Sequence, residues 1–147
     1  MTKPNHFPSP EDVETAFYES LARSDLDSFI LTWAEDEDVV CVHPTGARIA
    51  ELPLIRESWR QILANSRLRV RTELRHHWQG MVLAVHHLTE TLYLGDNPEA
   101  QGTLHVTHVY TRGAHGWRLV ARHASAAGDD QALAQAQVQE AGSHTLH

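Results

Sequence analysis

The chain has 147 residues and a formal net charge of −7 with its 12 histidines neutral; 41% of the residues are hydrophobic and 21% charged. This is ordinary material for one globular domain with a single substantial core. The acidic balance argues against a partner read through its phosphates, and no apolar run reaches the ~18 residues of a membrane span, so neither nucleic acid nor membrane is expected as a partner.

The polar opening "MTKPNHFPSP" lacks the apolar stretch of a signal peptide. The lone Cys41 has no partner for an internal disulfide. A reducing, cytoplasmic location is therefore expected.

"SPEDVETAFYESLARSD" starts like a helix, with Ser9 as N-cap, Pro10 at the first helical position and Asp12 three residues after the cap. Val13, Ala16, Phe17 and Leu21 share one face. A second helix starts at Ser24 or Asp25, its apolar stripe running Leu26, Phe29, Ile30 and Trp33. The acidic run Glu35–Asp38 opposes a helix C-terminus and ends it.

"VVCVHPTG" follows as a short strand stopped by Pro44 and Gly46, with His43 on its last rung. A return strand is expected near Ala47–Ala50. A third helix then begins at Pro53, carries Ile55, Ser58, Trp59 and Ile62 on one stripe, and ends near Asn65.

From Leu68 the apolar period becomes two. "LRVRTELRHHW", "MVLAVHHLTETLYL", "TLHVTHVYTR" and "WRLVARHAS" read as four long antiparallel strands. The first turn is placed at Gln79-Gly80, the second in "GDNPEAQG", the third in "GAHG". The domain is expected to span residues 1–127. Residues 128–147, rich in Ala and Gln, form a tail to which no role is given. Helices followed by a meander make an α+β fold.

Counting back from these turns puts Trp78 opposite Met81, Thr89 opposite His108, His87 opposite Tyr110 and Arg112 opposite Trp117. His87, Thr89, His108, Tyr110, Trp117, His123 and Ser125 then share one face with aliphatic residues, and the helices should cover it. So many polar groups under helices need partners or a ligand. Apolar walls with convergent polar groups describe a small-molecule pocket. The opposite face, carrying Arg69, Arg71, Glu73, Arg75, His86, Glu90 and Arg122, is expected outside.

The segments "SDLDSFILTWAED", "VVCVHP", "IRESWRQIL" and "GWRLV..HAS", taken in order across Glu11–Ser125, resemble the SnoaL-like members of the nuclear transport factor 2-like superfamily. The resemblance implies a cone: a curved antiparallel sheet wrapped around three N-terminal helices, enclosing a pocket. It also implies a homodimer through the convex sheet face. The superfamily includes ketosteroid isomerases, cyclases, dehydratases and non-catalytic association domains. His43 stands where the isomerases carry their aspartate base, and Phe17 where they carry an oxyanion tyrosine.

Two readings follow. In the first the protein is an enzyme of the isomerase, cyclase or dehydratase type acting on a small apolar or aromatic carbonyl compound. His43 is then the acid–base group, and His123 is catalytic beside it. Trp33, Trp59, His87, Thr89, His108, Tyr110, Trp117 and Ser125 bind the ligand. In the second the same pocket binds without chemistry, or the domain serves dimerisation. The sequence does not separate them. No HExxH or Cys/His spacing is present, so neither a metal nor an organic cofactor is expected.

Overall fold

The computed structural model describes residues 6–35, 37–65 and 67–128. All but one residue of the expected tail lies outside that range. Three helices, α1 (Pro10–Ala22), α2 (Leu26–Ile30) and α3 (Leu52–Asn65), pack on one face of a six-stranded sheet. The strands are β1 (Val40–Val42), β2 (Arg48–Ala50), β3 (Leu68–Gln79), β4 (Leu83–Leu94), β5 (Gly102–Gly113) and β6 (Gly116–Ala126), ordered β2-β1-β6-β5-β4-β3. All neighbours are antiparallel except β1 and β6, which run parallel.

Local chemistry sets the helices. Ser9 caps α1 by accepting from the Asp12 backbone N–H at 3.1 Å, and Asp25 caps α2 by accepting from Ser28 N–H at 3.1 Å. The second helix stops at Ile30, short of the expected Trp33. Thr32 Oγ1 donates to the Phe29 carbonyl at 2.6 Å, and Trp33 leaves the helix to bridge Leu119 of β6. Trp33 is nonetheless fully buried, within a core of Val13, Phe17, Phe29, Ile55, Trp59, Tyr110, Trp117 and Leu119.

The strand registers differ from the count at four places. Gly80–Val82, not Gln79-Gly80, makes the β3–β4 turn, with Gly80 N–H on the Leu83 carbonyl at 2.7 Å. Trp78 therefore opposes Val85. A bulge beside Leu74 further shifts β3. The loop joining β4 to β5 is pinned by Arg69, which donates to the Gly95 and Asn97 carbonyls, each at 2.8 Å. There the register moves by three residues: Thr89 opposes His105 and His87 opposes Thr107.

On β6 the count holds for Arg112–Trp117 and Tyr110–Leu119. A bulge at Val120 then sets Thr107, not Val106, opposite His123. Odd shifts exchange faces. His87, Thr89, His123 and Ser125 thus lie on the outer face, away from the helices. His86, Glu90 and Arg122 turn inward and are buried.

The start of the described chain is fixed to the sheet at Gly116. Trp117 N–H donates to the Phe7 carbonyl at 2.8 Å, and Gly116 sits at φ +87° with the Phe7 backbone against its Cα. A β-carbon there meets both a left-handed backbone penalty and the Phe7 carbonyl oxygen. Gly116→Ala is expected to lower stability by about 2 kcal/mol. Urea unfolding checks it, and an unchanged midpoint would show that Phe7 gives way freely.

Candidate functional site

The inner face is organised by a buried ion pair. Arg122 of β6 donates to Glu90 of β4 through two nitrogens, at 2.7 and 3.0 Å, and both residues are almost fully buried. This two-point geometry is the strong form of an arginine–carboxylate contact. Tyr18 of α1 donates to the same carboxylate at 2.5 Å. The guanidinium carbon lies 5.4 Å from the ring centres of both Phe17 and Trp59, so the arginine also lies over aromatic faces.

From Arg122 the hydrogen bonds continue. The guanidinium Nη1 lies 3.0 Å from His108 Nε2, and His108 Nδ1 lies 3.0 Å from Tyr110 Oη. Tyr110 donates to Glu14 Oε1 at 2.9 Å, which also meets His86 Nδ1 at 2.8 Å. Donor arithmetic assigns the protons. Arginine only donates, so His108 Nε2 accepts and its proton sits on Nδ1. His108 is then neutral, and Tyr110 passes its own proton to Glu14.

The titration tendencies agree. Burial, then the Arg122 charge, holds His108 well below the usual imidazole range. Burial pushes both Tyr18 and Tyr110 up, and the neighbouring Glu90 and Glu14 charges add to it, so both remain phenols. For Glu90, burial alone would raise the carboxyl. The Arg122 charge and the bonds from Arg122 and Tyr18 together outweigh it, and the net direction is down.

His43 stands at the end of β1, half-buried. Its Nε2 lies 3.0 Å from Ser58 Oγ, and its ring centre lies 5.5 Å from that of Trp59. Ser58 donates to the Ile55 carbonyl at 2.9 Å, so it accepts from His43 Nε2–H and leaves Nδ1 unprotonated. Burial and the Arg122 charge lower the His43 pKa, which keeps the imidazole neutral. Cys41, 3.9 Å from His43 Nε2, is a buried thiol whose pKa burial raises, so it is no thiolate nucleophile. Trp59 Nε1 is buried with no oxygen or nitrogen acceptor, leaving only a weak lean on the Cys41 sulfur.

Of the residues expected to form the pocket, Trp33, Trp59, His108, Tyr110 and Trp117 are buried on the helix side, and His43 borders Trp59. His87, Thr89, His123 and Ser125 are not there. The register changes carry them to the outer face, so His123 cannot act beside His43 from the interior. Glu14, Tyr18, His86, Glu90 and Arg122 were missed. One signal was available: Glu90 is the only acidic residue in β4, β5 and β6, and a lone carboxylate in such strands wants a buried cation. Among the described residues no three His, Cys, Asp or Glu side chains converge as a metal would require. Nor is any helix among them long and apolar enough to cross a membrane.

Comparison with known proteins places this arrangement. The SnoaL-like domain family matches residues 11–129, and the chain belongs to that family. None of the curated proteins matches. Among solved structures, a protein from Thiobacillus denitrificans put forward as a calcium/calmodulin-dependent protein kinase type II association domain is 31% identical, covering 84% of this chain and 98% of that one at a TM-score of 0.77. One from Streptomyces avermitilis put forward as a dehydratase of the NTF2-like family is 26% identical, covering 79% and 91% at a TM-score of 0.70. An NTF2-like protein of unknown function from Pseudomonas putida, 18% identical over 83% and 87% with a TM-score of 0.69, shares the fold. The helices inside a curved sheet are thus the cone of this superfamily.

The inner network has a pH signature. His108 is held neutral in the fold, whereas the unfolded chain protonates it near its ordinary value of 6.5. The unfolded state then binds more protons, so stability falls as pH drops below about 6.5. Glu90, lowered from 4.5, adds a second loss that begins as pH falls through that value. Melting temperature against pH is expected to decline in these two stages, and His108→Gln should flatten the upper one. An upper stage of undiminished size in that variant would remove His108 as its source.

Proposed function

We propose that this SnoaL-like protein binds a small apolar or aromatic carbonyl compound beside His43, and that His43 acts as the acid–base group of an isomerase-, cyclase- or dehydratase-type reaction. The observation that carries the reading is the state of His43. It is oriented by Ser58 through Nε2, neutral, and left with Nδ1 free to take a proton. Trp59 supplies an apolar wall, and its unclaimed Nε1–H is a donor for a carbonyl oxygen. The buried Arg122 charge favours negative charge developing nearby. The likeness to the Streptomyces protein supports the same class of chemistry. A cytoplasmic location fits the buried free thiol of Cys41.

A general base beside a bound ketone exchanges its α-hydrogens with solvent. With α-tetralone as probe, hydrogen exchange into deuterated water followed by NMR should be faster with the protein than without it. His43→Asn should slow the protein-dependent rate at least about tenfold, the lower end of what one acid–base group supplies, while the melting temperature barely moves. Binding without exchange would favour a carrier. A melting temperature several degrees lower, with exchange intact, would make His43 structural.

The second reading, self-association, is favoured by one corner of the outer face. Trp78, Met81, Val82 and Leu83 are more than half exposed, at 55%, 85%, 61% and 51%, around the β3–β4 turn. Val85 and Val109 pair beside Trp78 and extend the patch inward across the sheet. Leu88 and Leu92 face the helices and do not join it. An apolar corner with a polar rim suits a homodimer contact. The resemblance to the Thiobacillus protein supports it. Light scattering at micromolar concentration should give a dimer mass, and Trp78→Asp with Leu83→Asp should halve it. A monomeric parent would end this reading.

A further inference from the structure

The residues that the register carries outward do not scatter. His87, Thr89, His123 and Ser125 meet on the outer face, in an open groove of about 710 Å³ bordered by β3, β4, β5 and β6. The groove is two cross-strand rows deep. One row runs His76, His87, Thr107, His123 across four strands, and the next runs Glu73, Thr89, His105, Ser125. Side chains in one row of a sheet stand about 5 Å apart. The His76 and His87 ring centres are 6.4 Å apart, a spacing that lets neighbouring imidazoles reach different oxygens of one ligand.

The lining chemistry has one sign. Among the described residues it combines four imidazoles, the Arg75 guanidinium and the hydroxyls of Thr89, Thr103, Thr107 and Ser125, and no carboxylate is among this lining. In a chain of net charge −7, a groove whose described lining is donors without acids is a local exception. At its edge Glu73 of β3, opposite Thr89, is engaged with Arg75 at 2.6 Å. These donors match a ligand with several acceptor oxygens and negative charge.

We infer that the outer groove is a binding site for a small multivalent oxyanion, a phosphate or a polycarboxylate, held by His87 and His123 with Arg75 at the rim. It is separate from the His43 site, on the other side of the sheet, and adjoins the Trp78 corner, where the Trp78 ring centre lies 5.2 Å from that of His87 and 6.0 Å from that of His76. The groups facing it are Arg75 and His76 from β3, His87 from β4, His105 from β5 and His123 from β6, with Glu73 at its edge opposite Thr89 and paired to Arg75. A neutral imidazole offers one N–H donor and a protonated one offers two, so each histidine of the groove has a donor for the anion.

Calorimetric titration of the full chain with citrate and, separately, with inorganic phosphate tests this at about pH 6. At least one anion is expected to bind. The double variant His87→Asn, His123→Asn should weaken it at least roughly tenfold, and His115→Asn, on the β5–β6 turn, should leave it unchanged. If the double variant melts early, Arg75→Gln, at an exposed position, tests the same groove. Citrate alone binding assigns the site to carboxylates, and phosphate alone assigns it to phosphates. No binding of either at pH 6, or binding undiminished in the groove variants, overturns the inference. So does a dimer that weakens in the double variant while neither anion binds, since the groove then belongs to a second copy.

Discussion

The interior of this domain depends on the Arg122–Glu90 pair. Bringing both charges out of water is costly, and deleting one partner of such a pair typically costs about 3–5 kcal/mol because the other is left buried alone. The cost is offset here by two direct bonds, the Tyr18 hydroxyl, and the aromatic faces of Phe17 and Trp59. The pair therefore ties three layers together. Glu90 and Arg122 join β4 to β6, Tyr18 binds the pair to α1, and Trp59 brings in α3. It also fixes protonation at a distance. Arg122 forces His108 to accept, and its field helps to keep His43 uncharged.

This has a bearing on the chemistry. In the proposed reaction the Arg122 charge acts both ways: it makes His43 a weaker base and favours negative charge forming in the substrate. Because Glu90 already balances Arg122, the field of the pair is that of a dipole, shorter in range than that of a free charge.

The element types were legible from the sequence because each rests on local signals. Ser9 and Asp25 cap their helices, the apolar stripe of Ile55 and Trp59 marks α3, and the change of period at Leu68 marks the meander. What was not legible is which face β4 and the later part of β6 present. That depends on single-residue events: the bulge at Val120, the bulge beside Leu74, and the way Arg69 gathers the β4–β5 loop. None has a local signature, because each phase of β4 contains a histidine and another polar residue as well as aliphatic ones. Trp33 was rightly taken as buried, yet it reaches the core from a bridge to β6, not from a helix. His43 stands at the end of its strand because Pro44 and Gly46 end that strand whatever the sheet does.

The parallel contact between β1 and β6 has a consequence for assembly. Val40 pairs with Ala121, Trp33 bridges Leu119, and Phe7 bridges Gly116. Three separate pieces of the first third of the chain are thus registered against one strand near the end of the domain. Such distant pairings are slow to form, since the intervening chain must be ordered first. During synthesis the N-terminal helices emerge long before the strand that aligns them. The turn at His43 stays without its scaffold until β6 has left the ribosome. The site is therefore completed last, and its integrity reports whether the entire domain has folded.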